Sequence, residues 1–370
     1  MRIRAITVFV HADPRGGIPT VAGRLAQAAR EVLLEDGWEV QTLRVALTPP
    51  DPSEGPEALL ARAVEGEAAA QDLGFDYLSL GPMGPHAPWI PHLFARTERT
   101  FAAFSLEEPE EAALAARILR ENAALSPDGF ANLRFAVLSC VPPLCPFFPA
   151  AYHDGGPPAL AVATEAADLA VAAARAAPTP VGALAMLQAQ IEAAGRRLAA
   201  RLAPLARSAR VRFAGIDFSL APFPEPERSI GTAIEALSGA PFGHPGTLAA
   251  VAGLAAAIQQ ADFPKTGFCG VMLPVLEDAL LAQRAAEGTF RLNDLLLYAA
   301  VCGTGLDTIP LPGEASEEAL ARVLRDLHAL SGRLGKPLTA RLMPIPGRRP
   351  GDPIRFDFPY LAPSAVMALP

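Results

Sequence analysis

The chain has 370 residues, 51% of them apolar, a net charge of −8, and no run of Lys or Arg interleaved with aromatics, which argues against electrostatic nucleic-acid binding. No apolar run approaches the ~20 residues needed to span a bilayer, so no membrane partner is expected. The opening MRIRAITVFVHADP reaches His11 and Asp13 too early for a signal peptide, which predicts a cytoplasmic protein with reduced thiols at Cys140, Cys145, Cys269 and Cys302.

Residues 4–10 read as a first strand and 18–36 as an amphipathic helix with apolar positions at Val21, Leu25, Ala28, Ala29, Val32 and Leu33. A strand over 38–45, a helix over 56–73 and a short strand over 77–80 follow, the last ended by Gly81-Pro82. The spacing then predicts a helix over 107–124, strands over 133–139 and 160–163, and a helix begun by Thr164 as cap. Further on come a long helix over 183–206, a strand over 211–220, and helices over 229–237 and 247–260. A strand over 268–273, helices over 277–287 and 292–300, a strand over 306–311, a helix over 317–334 and a strand over 340–345 complete the pattern. The chain has 38 prolines, clustered in loops between these segments (82–91, 142–149, 222–226 and 344–353), which they stiffen.

Strands alternating with helices predict an α/β protein with a largely parallel sheet. At least eight strands are countable, and a closed barrel is favoured because closure removes exposed edges. No flexible linker interrupts the pattern, so residues 1–370 read as a single domain. Two segments echo each other, GIDFSLAP from Gly215 and GLDTIPLP from Gly305. Each has Gly, a branched apolar residue and Asp, then reaches a Pro five residues after the Asp. A glycine there permits close approach of another backbone, and a buried Asp there needs a partner.

Several stretches in order carry a resemblance: IRAITVFV, FPAAYHDGGPPALAVATEAADLAV, GIDFSLAPFPEPERSIG, CGVMLPVLEDA, VCGTGLDTIPLPGE and ARLMPIPGRRPGDPIRF. Together the chain resembles the family called domain of unknown function 711. That resemblance implies a pyruvate formate-lyase-like fold, a closed α/β barrel of about ten strands built from two half-barrels, as in glycyl radical enzymes. It does not imply their radical chemistry, because the tail RRPGDPIRFDFPYLAPSAVMALP lacks the glycyl radical segment.

In the strand 211–220, Ile216, Phe218 and Leu220 share one face and Asp217 and Ser219 the other. With the apolar face toward covering helices, Asp217 and Ser219 point inward, and Asp307 occupies the same frame after Gly305. Two carboxylates meeting in one cavity could do acid/base work or hold a divalent cation; each could instead cap a turn or pair with an arginine. Glu277 follows a strand end, where it could face the barrel mouth or partner a helix dipole. His153 beside two glycines could be a general acid/base or a turn residue. Cys140, at a strand end, is the candidate nucleophile, with an inert thiol as the alternative. Ser219, Thr308 and His244, the last ahead of a helix N-terminus, are candidate ligand-binding residues. No phosphate-binding, dinucleotide, zinc-protease or serine-hydrolase motif is present. The expectation is an enzyme acting on a small polar or anionic metabolite through Asp217, Asp307, His153, Glu277 and Cys140. The alternative is a non-catalytic small-molecule-binding or scaffold protein; a homo-oligomer is expected in either case.

Overall fold

The computed structural model describes residues 1–12 and 17–369; Asp13 and Pro14 of the opening segment lie outside them. Nine strands form one mixed sheet: β1 (Arg2–Val10), β2 (Leu43–Leu47), β3 (Tyr77–Pro82), β4 (Thr100–Ser105), β5 (Phe135–Ser139), β6 (Ala159–Glu165), β7 (Arg212–Asp217), β8 (Gly305–Pro312) and β9 (Leu338–Ile345). Their order is β7-β6-β1-β2-β3-β4-β5-β9-β8. Strands β1 to β5 run parallel in chain order, and β6–β7 and β8–β9 are parallel pairs; the β1–β6 and β5–β9 ladders are antiparallel. Connections within each parallel run carry helices, among them α1 (Thr20–Glu35) and α2 (Pro56–Asp72).

The β1 pattern shows how the layers arise. Ile6, Val8 and Val10 point to the helices, where they share a core with Ala22, Leu25 and Ala29 of α1. The other face carries Ala5, Thr7 and Phe9. In β6, Leu160 and Val162 join the helix-side core, while Ala159, Ala161 and Ala163 face inward. Small inward side chains leave space, and residues 141–151 fill it. Val141, Cys145, Phe147 and Ala150 pack on Ala5, Ala103 and Ala163, and Leu144 and Phe148 pack on Phe9, Ala46 and Ala161. Polar inward groups hold this loop's backbone: the Thr7 hydroxyl donates to Pro146 O (3.0 Å) and Ser79 to Ala151 O (2.6 Å).

The predicted strand over 268–273 is not a ladder strand. Residues 265–275 instead run irregularly between the two sheet edges, with parallel bridges Ile216–Lys265 and Leu220–Val271 on one side and Pro274–Asp307 on the other. Strand β4 was missing from the sequence pattern, because TFAAFS is short and lies between a proline cluster and a helix. Thr164 does not cap a helix: it lies in β6, where its hydroxyl donates to Ser219 O (3.0 Å), and the next helix is α3 (Ala167–Ala176). The helix expected from 277 begins two residues later, at Ala279–Glu287, with Asp278 as N-cap.

Among the described residues, no helix is long and apolar enough to cross a membrane.

Candidate ligand cavity

Three arginines and two carboxylates converge on a cavity of about 100 Å³ inside the sheet, at the N-terminal ends of β1 to β5. Arg4 is placed by an irregularity in β1, where the register with β6 shifts between Ile3 and Ala5. It pairs with Glu165 (3.2 Å) and Glu277 (2.8 Å), and Tyr360 lies against it at 5.0 Å from the guanidinium carbon to the ring centre. Asp307 is placed by a second irregularity. The β8 register shifts between Leu306 and Ile309, and both of these stay in the helix-side core. Asp307 therefore turns to the cavity, where it accepts from Arg341 Nε (2.6 Å). Arg341, from β9, also binds Glu277 (2.6 Å). Glu277 reaches this position because the chain turns after Pro274 bridges β8, with Val275 N donating to Asp307 O (3.0 Å). The result is an alternating chain of charges, Glu165–Arg4–Glu277–Arg341–Asp307. Arg228 closes its far end by pairing with Glu165.

Arg44 stands apart from this chain. It projects from β2 into the cavity and is only 8% exposed. Its Nε donates to the Thr42 hydroxyl (2.9 Å), and its guanidinium lies over the rings of Phe148 (5.2 Å) and Tyr77 (5.7 Å). Among the described residues no carboxylate lies within ion-pair distance of it. Burial, and then the neighbouring Arg4, lower its pKa to about 10. Arg341 behaves oppositely: against the lowering effect of its own burial, Asp307 and Glu277 hold its cation above the ordinary range. Burial pushes the Asp307 carboxyl up, Arg341 pulls it down, and Glu277 adds to the upward push.

Of the residues singled out from the sequence, Asp307 and Glu277 line the cavity and Asp217 does not. The expected meeting of Asp217 with Asp307 is therefore corrected. Asp217 does lie on the face opposite Ile216 and Phe218, but residues 266–270 cross over it. It is fully buried and accepts from Phe268 N (2.7 Å), Cys269 N (2.9 Å) and the Ser219 hydroxyl (2.6 Å). Burial raises its pKa to about 6 against those hydrogen bonds. Gly267 makes the crossing possible: its φ is +67°, and a Cβ there would sit 2.2 Å from Asp217 Oδ2.

Ser219 is consumed by the same cluster, also accepting from Gly270 N (3.2 Å). Thr308 is buried, with φ +43°, and its hydroxyl accepts from Leu276 N (3.3 Å). His244 lies in an exposed turn before the helix Thr247–Gln260. His153 is buried away from the cavity, its backbone N–H on Leu47 O (3.0 Å) at the C-terminal end of β2 and its Nε2 3.2 Å from Pro157 O. Burial lowers its pKa. Cys140 is exposed just after β5 and does not line the cavity, and the other three thiols are buried. Among the described residues, no three His, Cys, Asp or Glu side chains could together hold a metal ion.

The arginines are what sequence reasoning missed. Arg44 alternates with Ala46, an inward position, in the otherwise apolar LRVAL, and Arg341 interrupts LTARLMPI. A charged residue in a fully buried strand is costly, and that was the available signal.

Comparison with known proteins finds a family model described as Uncharacterised ACR (DUF711) matching residues 1–357. A UPF0210 protein of Pyrobaculum arsenaticum is 32% identical over 363 residues, covering 90% of this chain and 79% of the relative. A UPF0210 protein of Methanopyrus kandleri is 29% identical, covering 95% and 87%. One from Desulforudis audaxviator is also 29% identical, covering 92% and 81%.

Proposed function

The chain belongs to the DUF711 (UPF0210) family, and we propose that it binds a small anionic metabolite inside a closed α/β barrel. Arg44 carries this reading. A guanidinium buried to this degree without a carboxylate is costly, and a bound anion on the cavity side would supply the missing partner. The bridges made by residues 265–275 support closure of the sheet into a ring of ten, with this segment as the irregular tenth member. In such a ring the cavity opens at one end, where a ligand can enter. Asp307 is the lining carboxylate whose pKa is pushed up, so it is the group placed to exchange a proton with a bound ligand in an enzymatic step. Arg4, Glu277 and Arg341 hold one another and fix the wall.

The test is Arg44→Met, studied by calorimetry with acetate, sulfate and inorganic phosphate. The wild type should bind at least one of these saturably. R44M should bind it at least tenfold more weakly while its thermal midpoint stays equal or rises, since a buried unpaired charge has been removed. Equal affinity in R44M, or no binding of any small anion by the wild type, would overturn the reading.

A further inference from the structure

We infer that the anion is a monocarboxylate attached to a single planar apolar ring; this rests on the anion-binding reading above. Charge sets the first half of the inference. The cavity wall carries three arginines, Arg4, Arg44 and Arg341, against two carboxylates, Glu277 and Asp307. Both carboxylates are already bonded to Arg4 or Arg341, and Glu165, which also binds Arg4, is matched by Arg228, which leaves one positive charge, that of Arg44, to be matched. A monoanion balances it, whereas a phosphate dianion would bring a second, uncompensated charge into a buried site. The planar fork of an arginine also suits a carboxylate held by two parallel hydrogen bonds.

The walls beside the fork set the second half. Tyr77, Phe101 and Phe148 form an edge-to-face row, with centroid separations of 5.3 Å between Tyr77 and Phe101 and 5.3 Å between Phe101 and Phe148. Tyr77 and Phe101 are only half-buried although they lie inside the sheet, because they face the cavity. Phe268 and Met272, from the irregular segment, line it as well. Arg44 lies over two rings of this row, so an anion on its fork places whatever the anion carries beside aromatic faces and a thioether. The enclosed volume of about 100 Å³ is less than the ~150 Å³ of a closed apolar cavity that holds benzene, so the carboxylate and part of one ring fit inside while the rest of the ring lies at the cavity's open mouth. Acetate would leave that apolar wall unfilled.

The experiment is calorimetric titration of the full chain with benzoate, acetate and inorganic phosphate, repeated with Phe101→Leu and with Arg44→Met. Benzoate should bind at least tenfold more tightly than acetate or phosphate. F101L should weaken benzoate about fivefold and leave acetate unchanged, and R44M should weaken both carboxylates. Acetate or phosphate binding as tightly as benzoate, with R44M still abolishing it, would overturn the ring and monocarboxylate assignment and leave the anion site standing. Benzoate affinity unchanged in R44M would overturn both.

Discussion

Asp217 is held by two backbone amides, a serine hydroxyl and the Cys145 thiol, with no arginine beside it among the described residues, and its pKa is raised to about 6. In the unfolded chain it titrates near 3.8. The folded state therefore binds the extra proton between those values. The stability contributed by this group is complete below about pH 3.8 and is lost as pH rises through about 6, a change of about 3 kcal/mol. Asp217→Asn removes the titration. Urea unfolding of both proteins between pH 4 and 7 should show wild-type stability falling relative to D217N by that order; a flat or rising difference would contradict it. The variant should also be less stable at its best pH, because one side-chain oxygen that accepts an amide becomes an NH2 group. Asp307, in the same local sequence, instead finds Arg341 and the cavity, because its strand has an extra residue just after Leu306.

The inward alanines of β1, β4, β5 and β6 and the loop over residues 141–151 form one packing unit. Ala161 is fully buried among Phe148, Leu144 and Phe9, so Ala161→Leu adds three carbons to a packed position. The expected cost is about 1–3 kcal/mol in chemical unfolding, with loosening of the loop that carries Phe148 into the cavity wall. An unchanged midpoint would show that the interior is less filled than this packing implies. The segment 265–275 is an element of another kind. Its amides satisfy Asp217 and Ser219 at β7, and its far end bridges β8 and delivers Glu277. Its hydrogen bonds go partly to side chains, so it reads as a strand by apolar content without forming a ladder.

Across the whole molecule, the parallel run β1–β5 meets the parallel pairs β6–β7 and β8–β9 at antiparallel seams, β1 with β6 and β5 with β9. The helix-side core is one contiguous cluster that includes residues of the run and of both pairs, such as Val8, Ile216 and Leu342. Neither the run nor the pairs can keep their edge strands paired or their interior filled without the other. We therefore expect one cooperative unfolding transition, with coincident curves by far-ultraviolet circular dichroism and intrinsic fluorescence. Two separated transitions would show that the halves fold as independent domains.

Local patterning already dictated much of this. Periodicity in the sequence marked most helices and strands, the alternation Ile216–Asp217–Phe218 marked which face meets the helices, and the Gly–apolar–Asp segments marked two places where backbones approach closely. Gly215 does come within reach of the Lys265 backbone, and Gly305 within reach of Thr339. These features depend on neighbours a few residues apart. The cavity does not. One extra residue in β8 and a register shift in β1 decide which way Asp307 and Arg4 point, and only the partner strand defines such shifts. The fate of Asp217 was set by a segment fifty residues further along the chain, and the isolation of Arg44 by the engagement of Glu277 and Asp307, on the same cavity wall, with Arg4 and Arg341. Pairing between distant strands fixes both, so charge balance inside the sheet belongs to the tertiary structure alone.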